Sequence, residues 1–131
     1  MTITLIETFI ILFIHFFADF VLQTHWQATN KSKNNEALTE HVFAYSLCWI
    51  APIGIMLYSS NTFVGMGCIV FGFIFAMITY LCHWVTDYVT SRINSNLWAK
   101  GDVHNFFVSV GFDQFLHFVQ LLVTYYLIKN I

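Results

Sequence analysis

The sequence predicts an all-α, polytopic membrane protein folded as a four-helix transmembrane bundle. Three observations lead there. Hydrophobic residues make up 58% of the 131 residues and charged residues only 9%, where a soluble domain carries roughly a quarter charged. Four long apolar runs are separated by short polar turns. The run from Phe63 to Cys82 holds no charged residue and is long enough to cross a bilayer. A soluble domain of this length could not hide fifteen phenylalanines.

Residues 1–131 read as one transmembrane domain with spans at about 3–23, 38–58, 63–92 and 103–128. The first span is interrupted by Glu7, His15 and Asp19. No basic residue precedes it and no small-residue cleavage site follows, so a removable signal peptide is not expected. Thr8, Leu12, His15, Asp19 and Gln23 share a face at helical spacing, and Glu7 reads as a solvated first-turn acid. A polar linker follows, Asn30 to Glu36, with Trp26 ahead of it at a position suited to the membrane–water interface.

The second span carries His41 in its first turn and Pro52 as the expected kink. Ser59 to Thr62 make a turn into the third span. There Gly72, Ala76, Thr79, His83, Asp87 and Thr90 form one stripe, whose small residues permit close approach of a neighbouring helix. Asn94–Asn96 and Lys100–Asp102 read as a polar connection holding Trp98. The fourth span places Ser109, Asp113, His117, Gln120 and Thr124 on one face. Short loops between antiparallel helices make an up-down bundle the natural arrangement.

Three histidine–aspartate pairs at a spacing of four dominate the chemistry: His15 with Asp19, His83 with Asp87, and Asp113 with His117. Residues four apart on a helix lie one above the other. Ionisable side chains inside a membrane must face protein, water or metal rather than lipid. Cys48, Cys68 and Cys82 are odd in number and lack a CxxC spacing, so they read as small buried hydrophobes. His104 reads as an interfacial histidine, and His25, beside Trp26, is left open between an interfacial and a ligand role.

Lys31, Lys33, Arg92 and Lys100 fall in the first and third loops, which a four-span topology places on one side. The positive-inside rule then puts these loops in the cytoplasm and both termini on the opposite side of a bacterial cytoplasmic membrane. At about 1.5 Å per residue, Asp19 and His15 lie roughly 8 and 14 Å from the basic end of the first span. His83, Asp87, Asp113, His117 and His41 fall in the same half. Few basic residues and a net charge of −2 argue against a nucleic-acid partner. The compatible partners are lipid, a second copy of the chain or another membrane protein.

Three readings of the polar groups compete. Asp–His pairs can act as interhelical glue, worth about 0.6–2 kcal/mol each. They can form a proton or ion relay. They can also hold a metal, since imidazole and carboxylate are ligands for zinc, iron and manganese. Each aspartate opposes insertion by about 2.5–3.5 kcal/mol, a penalty that a divalent cation would largely remove.

The elements His15-Phe16-Phe17-Ala18-Asp19-Phe20-Val21-Leu22-Gln23, then Trp26, Lys31 and His41, then His83-x-x-x-Asp87 and Asp113-Gln114-x-x-His117, carry a family resemblance. Together they resemble small phage and bacterial membrane proteins grouped as domain of unknown function 3307, over nearly the whole chain. The resemblance implies a multi-pass membrane protein, often phage-encoded, and supplies no reaction. The HxxxD spacing is also similar to that of membrane-bound metal-dependent hydrolases.

The expected function is metal-assisted hydrolysis of a lipid-like or membrane-adjacent substrate. His15, Asp19, His41, His83, Asp87, Asp113 and His117 are the candidate ligands for a divalent zinc, iron or manganese ion. Asp19, Asp87 and Asp113 are the catalytic candidates, one of them acting as base toward a metal-bound water. Gln23 and Gln114 are expected as outer hydrogen-bond partners. The rival is a non-enzymatic phage accessory protein, acting in superinfection exclusion, lysis timing or an ion or proton relay.

Overall fold

The computed structural model describes residues 1–131 and contains helices and turns but no strand. The elements are α1 (Leu5–Phe16), a π-helical turn (Phe17–Val21), α2 (His25–Asn30), α3 (Asn35–Leu47), α4 (Ile50–Ser59), α5 (Met66–Ala99) and α6 (Val103–Lys129). By length and composition, three helical stretches suffice to cross a membrane: Asn35–Ser59, Met66–Ala99 and Val103–Lys129. Large apolar side chains point outward on all of them, Phe43, Met77, Leu81, Phe107 and Phe115 among them. Such a continuous apolar exterior is what a lipid-facing surface requires.

Local chemistry sets the boundaries. Thr4 and Glu7 form a reciprocal capping box at the start of α1, as Thr24 and Gln27 do for α2. The break between α3 and α4 falls at Cys48–Trp49, just ahead of Pro52. The proline ring excludes the carbonyl four residues back and offers no N–H, so the kink expected at Pro52 is displaced into the turn before it. α5 runs on to Ala99, and only Lys100–Asp102 connects it to α6. Asn94–Asn96, expected in the connection, are therefore helical.

A Schellman turn stops α5. Gly101 has φ 72°, its N–H donates to Trp98 O, and Asp102 N–H donates to Leu97 O. Asp102 then caps α6 by accepting from Asn105 N–H at 3.2 Å.

Close packing holds α4 against α5. A Cβ on Gly72 would collide with the carbonyl oxygen of Ile50, so only glycine permits this approach. The dry core lies beside that contact: Ile11, Tyr45, Trp49, Ile53, Leu57, Phe75, Leu121 and Tyr125 are all fully or almost fully buried. Of the cysteines, Cys68 is buried and Cys48 partly so, whereas Cys82 is exposed. Its place on α5 is on the outward face with Met77, Leu81 and Val85, which corrects the expectation that all three are core residues.

The termini meet at one end of the molecule. The Met1 amino group contacts the Asn130 side chain, whose amide donates back to Met1 O at 3.0 Å. Glu7 is buried there, against the expectation of a solvated acid. Lys129 Nζ lies 2.7 and 2.8 Å from its two carboxylate oxygens, and the Tyr125 hydroxyl donates to it at 2.5 Å. The inward face of α1 is thus Glu7, Ile11 and His15 rather than Thr8 and Leu12. A lysine from the far end of the chain supplies the counter-charge, which no local pattern around Glu7 announces.

Candidate metal centre

Four elements bring six of the seven candidate ligands into two groups of converging atoms. Ligand atoms of Asp19, His41, His83 and Asp87 all lie within 4.8 Å of one another, as do those of Asp87, Asp113 and His117. All six residues are buried. Asp19 comes from the π turn, His41 from α3, His83 and Asp87 from α5, and Asp113 and His117 from α6.

The π turn matters to this placement. A straight α-helix would stack Asp19 over His15, but the wider i→i+5 turn after Phe16, closed by Leu22 N–H on Phe17 O at 3.0 Å, re-aims the carboxylate. His15 Nε2 and Asp19 Oδ2 are left 3.8 Å apart. Asp19 Oδ1 instead accepts from His41 Nε2 at 3.0 Å. His15 is satisfied elsewhere: its Nε2 donates to Gln114 Oε1 at 2.8 Å, so its Nδ1 accepts from the Tyr45 hydroxyl at 2.7 Å. With both nitrogens engaged, His15 stands outside the two convergent groups.

His83 is the opposite case. It is fully buried, and neither ring nitrogen has a hydrogen-bond partner. The ring is clamped between Tyr45 and His117, with centroids 4.1 Å away on each side. Its Nε2 faces Asp19 Oδ1 at 3.6 Å and Asp87 Oδ2 at 3.5 Å. Buried polar atoms are rarely left unpaired, and a ring fixed with its nitrogen between two carboxylate oxygens has the disposition of a ligand.

On the other side of Asp87, His117 Nε2 lies 3.1 Å from Oδ1 and 3.4 Å from Asp113 Oδ1. The Thr90 hydroxyl donates to Asp113 Oδ1 at 2.6 Å. Gln114 bridges the two groups, its Nε2 donating to Asp19 Oδ2 at 3.3 Å and to Asp113 Oδ2 at 3.1 Å. Gln23 contributes nothing comparable. Its Nε2 is buried but unpartnered, because the chain turns away into α2 immediately after the π turn. His25 and His104 are both exposed and lie outside the cluster.

Lys31 is the component the sequence reading did not assign to the site. Its Nζ lies 2.8 Å from Asp87 Oδ2 with the side chain 20% exposed. Burial alone would depress the ammonium, but Asp87 and Asp19 outweigh that and hold its pKa above the ordinary lysine value. Tyr45 and Thr90 also escaped notice as partners. Their spacing gave a signal: Tyr45 follows His41 by one turn, and Thr90 lies three residues past Asp87 on the same face.

A cleft of about 500 Å³ reaches the cluster from the Lys31 end. Asp87 and Asp113 are at its floor, Lys31 at its side, and Thr90, Asn94, Trp98 and Phe106 along its walls. Asp19, His41 and His83 do not line it. One turn beyond His15 and His117, Ile11 and Leu121 are fully buried, and beside Leu121 the Gln120 amide donates to Thr79 and Thr124 at 3.2 and 3.1 Å.

No curated protein and no solved structure matches the chain. A family model does match, over residues 8–131, which is nearly the whole length. The chain belongs to the family described as protein of unknown function (DUF3307).

Proposed function

We propose that this chain is a four-span membrane protein whose His/Asp cluster holds a divalent transition metal, zinc, iron or manganese, for hydrolysis of a lipid-like or membrane-adjacent substrate. The observation that carries the metal reading is His83, fully buried with both ring nitrogens unpartnered and aimed between two carboxylates. His15 is the contrast, with both ring nitrogens engaged as an interhelical contact requires.

The fourth crossing is α1 with its π turn. These 17 residues cover about 25 Å, close to the hydrocarbon thickness of about 30 Å. Leu5, Phe9, Phe13, Phe16 and Phe20 form an apolar outer face along them. In the positive-inside orientation the Lys31 and Lys100 loops lie in the cytoplasm and the termini outside. The cleft then opens toward the cytoplasmic leaflet, where an amphiphile can present a polar group to Asp87 and Asp113 while its chain meets Trp98 and Phe106.

Asp19, His41, His83 and Asp87 serve as ligands in this reading, with Asp113, the aspartate left over, as the base toward a water at the cleft floor. His15, Tyr45 and Gln114 orient them. A proton relay is the second reading, favoured by the unbroken hydrogen-bonded chain from Tyr45 through His15 and Gln114 to Asp19 and Asp113.

Elemental analysis of the detergent-purified chain tests the metal, with stoichiometric zinc, iron or manganese expected and its absence decisive against the reading. Hydrolysis of lipid esters and phosphoesters, lost on chelation and restored by metal, tests the activity. Metal without hydrolysis would leave the centre standing and remove the enzyme.

A further inference from the structure

The two oxygens of Asp87 face different partners. Oδ2 faces His83 at 3.5 Å and His41 at 3.7 Å, while Oδ1 faces His117 at 3.1 Å. One carboxylate therefore belongs to both convergent groups, presenting one oxygen to each. We infer that the centre binds two divalent cations bridged by Asp87: an inner ion held by Asp19, His41, His83 and Asp87, and an outer ion held by Asp87, Asp113 and His117. This rests on the metal reading above and adds the number, placement and division of labour of the ions.

The two positions differ in access. The inner group has four protein ligands, none but Asp87 on the cleft, which is the closed ligation of a structural ion. The outer group has three, and two of them, Asp87 and Asp113, form the cleft floor. Three protein ligands plus an open position is the arrangement that leaves room for water or substrate. An unpartnered group also waits there: Ser91 Oγ is buried without a hydrogen-bond partner in the cleft wall.

Charge closes as well. Two divalent ions, three carboxylates and one hydroxide are together neutral once the Lys31 side chain turns outward, and its 20% exposure and loop position leave it that path. In the absence of ions, the Lys31 ammonium supplies part of the missing positive charge at Asp87 Oδ2. Carboxylate bridging sets two ions about 3.5–4 Å apart, near enough for magnetic exchange.

The test is a manganese titration of the chelator-stripped, detergent-solubilised full chain, counted by elemental analysis after dialysis and read by electron paramagnetic resonance. The wild type is expected to bind two Mn²⁺ per chain with an exchange-coupled spectrum. Asp113→Asn should retain one ion with an isolated-ion spectrum, and Asp87→Asn should lose the coupling altogether. One magnetically isolated Mn²⁺ per wild-type chain would overturn the second ion and leave the single-ion reading intact. No bound Mn²⁺ would overturn both. Two uncoupled ions, or two ions retained in Asp113→Asn, would overturn the Asp87 bridge or the outer position respectively. The wild-type count and spectrum decide the main point even if a variant fails to fold.

Discussion

Lys31 Nζ and Asp87 Oδ2 lie 2.8 Å apart, joining the loop after α2 to the middle of the polar half of α5 across 56 residues of sequence. This contact closes the cluster on its open side. It also competes with any cation for the same oxygen. Lys31→Met should therefore have opposite effects on the two states. Without metal, removing one partner of a buried pair should cost about 2–4 kcal/mol, seen as a lower melting temperature in detergent. With the repelling ammonium gone, metal affinity should rise about tenfold or more, measured by competition with a chromophoric chelator. Weaker metal binding in Lys31→Met would show that Lys31 supports the site rather than competes for it.

The Glu7–Lys129–Tyr125 cluster at the other end should be structural. Lys129→Met leaves the Glu7 carboxylate buried without its counter-charge, at a cost of about 3–5 kcal/mol. The double variant Glu7→Gln/Lys129→Met should recover much of that loss, since no unpaired charge remains. Thermal unfolding in detergent reads both. Metal content should not change in either, because neither Glu7 nor Lys129 belongs to the two convergent groups.

Gly72 should tolerate nothing larger than hydrogen. The added methyl of Gly72→Ala meets the backbone of Ile50, not a side chain that can swing away, so α4 and α5 must separate. A loss of about 1–3 kcal/mol is expected. Gly111, whose Cβ would meet open space, is the control, and Gly111→Ala should melt no lower than wild type.

Much of this was legible because long apolar runs make polar residues conspicuous. His83, Asp87, Asp113 and His117 stand out in apolar runs, and the α5 stripe from Gly72 to Thr90 is a simple helical repeat. Three things were hidden for physical reasons. The π turn depends on hydrogen bonds that no side-chain pattern specifies, so the shift of Asp19 away from His15 was invisible. Lys31 lies in a loop rich in polar residues, where its inward turn looks like ordinary solvation. Glu7 and Lys129 meet only through the antiparallel return of the chain, at a separation of 122 residues. Gln23 loses its helical phase with Asp19 where the helix ends in the π turn, and its amide nitrogen is buried without a protein partner.

Sidedness has its own test. Reporter fusions after Lys33 and after Lys100 should report cytoplasm, and a fusion at Ile131 should report the opposite side. A cytoplasmic C-terminus would contradict the four-span orientation and with it a cleft facing the cytoplasmic leaflet.

The most direct measurement is zinc-edge X-ray absorption on the zinc-loaded, detergent-purified protein. Ligation by this His/Asp cluster predicts a first shell of nitrogen and oxygen alone at about 2.0–2.2 Å, with the outer-shell scattering of imidazole rings. Asp87→Asn should abolish or reorganise that signal. Sulfur scattering at about 2.3 Å, which only the cysteines or methionines could supply, would contradict the assignment, as would a spectrum of hydrated zinc without imidazole.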